Sequence, residues 1–369
     1  MNLAAAANEN LASISNVLIY SAMAVYTLAF GAHMAEWVLG SRSKVGRTAA
    51  ALTEKPEGRA APAPASAPAP AVQVTGRGGT TVLERPQVVT RGPAGGRDVP
   101  DGPGAAGGDE GGDLYGRIAV SLTTLAFLLH AGGVLTRALS VERAPWGNMY
   151  EFSTAFSMVV VGSYLALLLA KKPVRWLGLP LVTTVLLDLG LAVSVLYTES
   201  DQLVPALDSY WLWIHVSCAI ISGGVFYLGA VGTVLFLFRD RYEAKLAAPG
   251  GKRPGAFADS VLSRLPAAAT LDKFAYRVNA LVFPLWTFTI IAGAIWAEAA
   301  WGRYWGWDPK EVWSFITWVA YAGYLHARAT AGWKGRKAAY IALIAFACFL
   351  FNYYGVNIFV TGKHSYAGV

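Results

Sequence analysis

The chain has 369 residues, of which 55% are hydrophobic and only 14% charged, where soluble globular chains carry roughly a quarter charged residues. With apolar runs long enough to span lipid, that deficit excludes a soluble fold and places the chain in a bilayer. The net charge of +7 does not mark a nucleic-acid binder, because the basic residues gather in loops on one side of the apolar runs.

Only helices and closed barrels satisfy the backbone in hydrocarbon, and alternating ten-residue strand patterns are absent. The predicted fold is therefore all-α, a polytopic membrane helix bundle. In chain order, eight spans fall at about 16–39, 114–139, 152–170, 177–197, 211–238, 279–299, 312–329 and 338–360. The first is not a cleavable signal peptide, since it is long and its basic residues follow it. Arg42, Lys44 and Arg47 lie after span one, and Lys171, Lys172 and Arg175 join spans three and four. Arg239, Arg241 and Lys245 begin a basic stretch after span five, and Lys334, Arg336 and Lys337 precede span eight. The positive-inside rule makes these loops cytoplasmic and puts both termini outside. The expected location is the plasma (inner) membrane, in contact with lipid, with an extracytoplasmic working face.

The domain pattern is a first span at 1–40, a cytoplasmic linker at 41–113, and a seven-helix core at 114–369. The linker is rich in Ala, Pro and Gly, with few aromatics, a composition that cannot bury enough surface to fold. Residues 239–277 place Phe257, Leu262, Leu265 and Phe274 among charges, a pattern suited to a short interfacial helix. No internal repeat is visible, which argues against a secondary transporter built from repeated halves. Cys218 and Cys348 lie inside apolar segments with no CxxC pair, so thiol redox chemistry and thiolate metal sites are not expected.

The chemistry concentrates in the outward loops. Residues 301–311 read Trp-Gly-Arg-Tyr-Trp-Gly-Trp-Asp-Pro-Lys-Glu, with Trp296 before and Trp313 after. Asp308 suits an N-cap, Pro309 the first helical position and Glu311 a capping-box acid, so span seven starts here. Trp301, Tyr304, Trp305 and Trp307 put four large rings within seven residues. They make either a platform for a flat apolar macrocycle or an aromatic belt at headgroup depth, and the residues alone leave both open.

The segment resembles the tryptophan-rich WWD signature (WGxxWxWD) of the haem handling protein family, with Trp301, Gly302, Trp305, Trp307 and Asp308 in register. The loop Ala144-Pro145-Trp146-Gly147-Asn148-Met149-Tyr150-Glu151 looks like the P-x-(S/G)-N-x-Y-E segment of the CcsA/ResC branch, the membrane subunit of System II cytochrome c synthetase. The likeness runs from about Leu114 to the C-terminus and does not include the 41–113 insert. It implies that haem b is presented at the outer face for thioether attachment to the CxxCH cysteines of apocytochrome c. It also implies that synthetase activity arises only in a complex with a ResB/CcsB-like membrane partner. A thioredoxin-like reductant would keep the apocytochrome thiols reduced. Alternatives are a System I haem exporter or carrier without synthetase activity, a small-metabolite transporter, and a purely structural assembly factor.

Within that resemblance the five histidines sort by depth. His215 and His364 lie at the outer surface on either side of the tryptophan segment, and neutral imidazole is a good axial ligand for haem iron. The family assigns paired external ligands there. His326 sits eighteen residues after Asp308, about 27 Å deeper at 1.5 Å per residue. It matches the family's transmembrane histidine, a candidate inner haem contact. His33 and His130 fit packing roles better. Arg303 and Lys310 border the aromatic run and are candidates either for haem propionates or for surface neutralisation. Asp308 fits helix capping better than iron contact. Asp188, in mid-span, must be paired or protonated, while Glu36 is expected to snorkel.

Overall fold

The computed structural model describes residues 8–39, 114–203, 209–248 and 255–364; the linker expected at 41–113 lies outside the described residues. Among them every regular element is helical. In order these are α1 (Glu9–Leu39), α2 (Leu114–Val141), α3 (Met149–Leu169), α4 (Gly178–Ser194) and α5 (Ser217–Ala247). There follow α6 (Ala256–Leu262), α7 (Ala268–Trp301), α8 (Pro309–Ala329), α9 (Arg336–Leu350) and the short α10 (Val356–Phe359). Two π-helical turns interrupt this pattern, Leu212–Val216 leading into α5 and Phe351–Gly355 joining α9 to α10.

Among the described residues seven helical segments are long and apolar enough to cross a membrane. The eighth, α8, has 21 residues and so is also of spanning length, but it carries Lys310, Glu311, His326 and Arg328. The bundle is apolar outside as well as inside: Leu28, Leu128, Leu187 and Leu281 are all exposed. Such side chains are at home against lipid tails, which are as apolar as leucine itself. The chain is thus a polytopic helical membrane protein.

Three expected spans are longer than periodicity suggested, the first because α1 already begins at Glu9. The helix holding span five runs to Ala247, and α7 begins at Ala268, about eleven residues before the apolar run at 279. At 1.5 Å per residue the 34 residues of α7 extend about 51 Å, beyond a hydrocarbon core of about 30 Å. The polar helix ends stay folded because they are tied together. Glu243 accepts from Arg239 Nε at 2.9 Å and from the Ala268 amide at 3.0 Å, and Asp272 takes a two-pronged bond from Arg328 at 2.6 and 3.0 Å. The helix expected within 239–277 is present as α6.

The core forms where α3, α4 and α5 meet, around Tyr164, Leu181 and Tyr227. A second apolar cluster joins α5, α7, α8 and α9, with Phe226 stacked on Tyr321 at 3.8 Å and Trp286 edge-on to Phe349 at 5.6 Å.

Several intramembrane polar groups are partnered. His33 is fully buried, with Nδ1 3.3 Å from Glu36 and Nε2 3.4 Å from Thr123. Glu36 also accepts from Arg175 at 2.6 Å, so it pairs across helices instead of snorkelling. His130 is buried and packs edge-on to Tyr26, its Nδ1 3.4 Å from the phenol oxygen. Asp188 accepts from Ser157 Oγ and from the Tyr354 hydroxyl, both at 2.6 Å. The second bond anchors the Phe351–Gly355 turn to α4. Replacing Asp188 by Leu strands both hydroxyls, and a buried unsatisfied group costs about 1–3 kcal/mol. Thermal unfolding in detergent should fall clearly for Asp188→Leu and much less for Asp188→Asn, which keeps an acceptor.

Candidate functional site

The tryptophan-rich segment is a loop fixed at both ends. Helix α7 stops at Trp301 because Gly302 takes a left-handed conformation (φ 68°) and returns its N–H to Glu298 O at 2.8 Å, the usual glycine termination. Helix α8 starts with the expected capping box between Asp308 and Glu311. Glu311 does more than cap, since its Oε2 accepts from the Gly306 and Asp308 amides at 2.8 and 3.0 Å. Between these anchors Trp307 is also left-handed (φ 58°), a conformation costing about 1–2 kcal/mol for a residue with a side chain. It projects outward, 70% exposed, edge-on to Trp305 at 5.9 Å.

Asp308 works in two directions. While capping α8, its Oδ1 accepts from the Lys363 amide at 2.7 Å and its Oδ2 from His364 Nδ1 at 2.7 Å. Burial alone would raise its pKa, but the bonds from His364 and Lys363 outweigh that and hold the carboxyl down at about 2. A permanent carboxylate on Nδ1 fixes the tautomer of His364 and makes Nε2 its lone-pair nitrogen. The ring is held edge-on to Trp301 at 4.9 Å.

His215 is oriented by a different partner to the same end. The π turn carries it toward α7, where Nδ1 lies 2.9 Å from Thr289 O. A carbonyl only accepts, so Nδ1 carries the proton and Nε2 again holds the lone pair. The close approach requires glycine on α7: a Cβ at Gly293 would sit 2.6 Å from His215 Cε1. Trp296 flanks the ring at 5.8 Å.

Both histidines line one cavity, open in part to solvent. Its other walls include Trp146, Phe152, Trp296, Tyr304, Trp305 and Tyr353, and Trp286 and Phe349 reach it from the apolar cluster below. The second loop motif supplies the Trp146 wall. There Asn148 caps α3, accepting from the Glu151 amide at 2.9 Å, and the Trp146 indole donates to Leu212 O at 3.1 Å. Glu151 is fully buried, bonded to Arg137 at 3.0 Å, Arg143 at 2.8 Å and the Gly147 amide at 2.8 Å.

Of the residues singled out from sequence, His215, His364, Tyr304 and Trp305 meet at this cavity. Trp301 and Asp308 stand behind His364, and Trp307 faces out. His326 is exposed on α8 and does not line the cavity. Thr289, Gly293 and the turn residues Asn352 and Tyr353 were not foreseen. A backbone acceptor and a π turn leave no residue-type signature, although the glycine in an apolar span was a signal of close approach. Among the described residues no cluster of three or more His, Cys, Asp or Glu could hold a bare metal ion. Two imidazoles facing an aromatic cavity can instead serve an iron whose other four ligands come from a macrocycle.

The fold and the cavity define the chain as a polytopic helical membrane protein in which two imidazoles line one aromatic cavity. The family model described as "Cytochrome C assembly protein" matches residues 121–364, and the chain belongs to that family, as a CcsA-type protein of cytochrome c biogenesis. It is 37% identical over 248 residues to "Cytochrome c biogenesis protein CcsA" of Trieres chinensis, covering 60% of this chain and 77% of that one. It is 34% identical over 294 residues to the protein of the same name from Synechocystis sp., covering 68% and 86%. A solved structure, "Cytochrome c Heme Lyase CcmF", matches with a TM-score of 0.50 at 16% identity, over 97% of this chain and 48% of that one. The chain thus spans about half the length of that structure, and the likeness concerns the fold alone.

The buried Glu151 gives a direct test of how the cavity wall is built. Removing one partner of a buried charge cluster costs about 3–5 kcal/mol, so Glu151→Ala should unfold far more easily than the parent. Asp308→Asn retains a good cap and should lower the thermal midpoint only slightly, as followed by circular dichroism.

Proposed function

We propose that this chain holds reduced haem b in the outer cavity and presents it for thioether attachment to the CxxCH cysteines of an apocytochrome c. The observation that carries this reading is the pair His215 and His364, each with Nδ1 committed to an acceptor, lining one aromatic cavity. Such outer-shell bonds orient a ligand imidazole and raise its basicity. His215 and His364 are then the axial ligands, while Tyr304 and Trp305 cover the macrocycle and Trp301 and Asp308 brace His364.

Attachment adds each cysteine S–H across a haem vinyl group, forming a carbon–sulfur bond without a net oxidant. No acid–base residue is required of this chain. Its contribution is to hold the vinyl carbons where the thiols arrive, and positioning alone can supply a large part of a rate enhancement. The incoming cytochrome histidine displaces one axial ligand. The thiols are kept reduced by a thioredoxin-like protein, since Cys218 and Cys348 are free thiols within apolar segments with no CxxC pair.

The basic loops support an orientation with the cavity on the extracytoplasmic side of the plasma (inner) membrane and both termini on that side. A ResB/CcsB-like membrane protein completes the synthetase. The exposure of His326 on α8 supports an inner haem contact at the boundary with that partner, not one enclosed within this bundle.

Absorption spectra of protein purified from haem-replete cells test the assignment. Wild type should show sharp reduced b-type bands, weakened several-fold in His215→Ala and His364→Ala and restored by added imidazole. Haem indifferent to both substitutions would remove the cavity from the mechanism.

A further inference from the structure

The sequence offers two cations beside the aromatic run, Arg303 and Lys310, and the structure treats them differently. Arg303 is engaged elsewhere, with its guanidinium 3.4 Å from Glu311 and over the Trp301 ring at 6.0 Å, and it does not line the cavity. Lys310 does line it. Its Nζ donates to the carbonyl of Asn352 at 2.8 Å, on the π turn, and lies 5.8 Å from the Tyr353 ring centroid.

Both neighbouring carboxylates are committed. Asp308 holds His364 and the Lys363 amide, and Glu311 holds two loop amides and Arg303. Among the described residues Lys310 forms no ion pair closer than 4.0 Å. An ammonium has three N–H donors, and one carbonyl bond with the charge of Asp308 acting from beyond ion-pair distance leaves it underpaired in an apolar, aromatic cavity, where such a charge is costly. The missing negative charge is one a ligand can bring.

We propose that Lys310 is the carboxylate-binding residue of the cavity and takes a propionate of the macrocycle. This rests on the reading of the cavity as a haem site and adds a specificity rule to it. Protoporphyrin carries its two propionates along one edge and its vinyl groups toward the opposite one. An ammonium fixed by the π turn therefore sets which edge is held and which is offered to the incoming thiols. Lys310 acts as an orientation determinant, selecting porphyrins with free carboxylates.

The test compares ferrous haem with its dimethyl ester, titrated into the full chain in detergent. Wild type should prefer haem, since a charge-assisted bond of this kind is worth about tenfold to a hundredfold in affinity. Lys310→Met should lose that preference by weakening haem while leaving the ester unchanged, and Lys310→Arg should keep it. Equal weakening of both ligands in Lys310→Met would mean that Lys310 only tethers α8 to the turn, and would overturn the proposal while leaving the haem site standing. A wild type that binds haem through His215 and His364 yet shows no preference would also overturn it. Failure of the wild type to bind either ligand would sink the proposal together with the haem reading beneath it.

Discussion

The carboxylate of Asp308 joins two parts of the chain that are far apart in sequence, the start of α8 and the C-terminal segment. It begins α8, it receives the Lys363 amide on Oδ1, and it holds His364 Nδ1 on Oδ2. The helix start, the path of the C-terminal segment and the tautomer of a ligand candidate therefore depend on one side chain. Its negative charge suits both duties, because a helix N-terminus and an imidazole N–H each favour an anion. Neighbouring residues serve this arrangement. Gly302 lets α7 stop where the loop begins, and Glu311 collects the amides that the loop would otherwise leave bare.

The opposite wall uses the same strategy with heavier charge. Glu151, Arg137 and Arg143 are buried together, and the arginines extend to the carbonyls of Thr198, Asp201 and Ala144. Such a cluster gives little net stability compared with apolar packing. It does hold irregular backbone in fixed positions, and the cavity rim is irregular on both sides.

The fold was legible in the sequence because lipid demands long apolar runs, and the eight expected spans all correspond to helices. The misses have physical causes. Hydropathy ends where charge begins, whereas α5 and α7 continue beyond it on interhelical bonds from Arg239, Glu243, Asp272 and Arg328. The capping box at Asp308 and Glu311 was readable from residue types alone, yet the second task of Asp308 was not, because its partner lies 56 residues away. The four rings of the tryptophan run looked equivalent in sequence. Backbone geometry separates them, turning Trp305 inward and Trp307 outward. Glu36 was expected to reach for water because Arg175, its partner, is brought near only by folding.

Both ligand candidates have a π turn nearby in the chain: His215 lies within Leu212–Val216, and Phe351–Gly355, in the last span, precedes His364 by nine residues. A π turn holds one residue more than an α turn, so everything beyond it is rotated by about 100° relative to an uninterrupted helix. The last span therefore depends on a count as well as on chemistry. A chain one residue shorter in that turn could keep every side chain named above and still rotate α10, and the segment that follows it to His364, away from the cavity. Across this family, alignment gaps at these two turns would then be rarer than substitutions beside them.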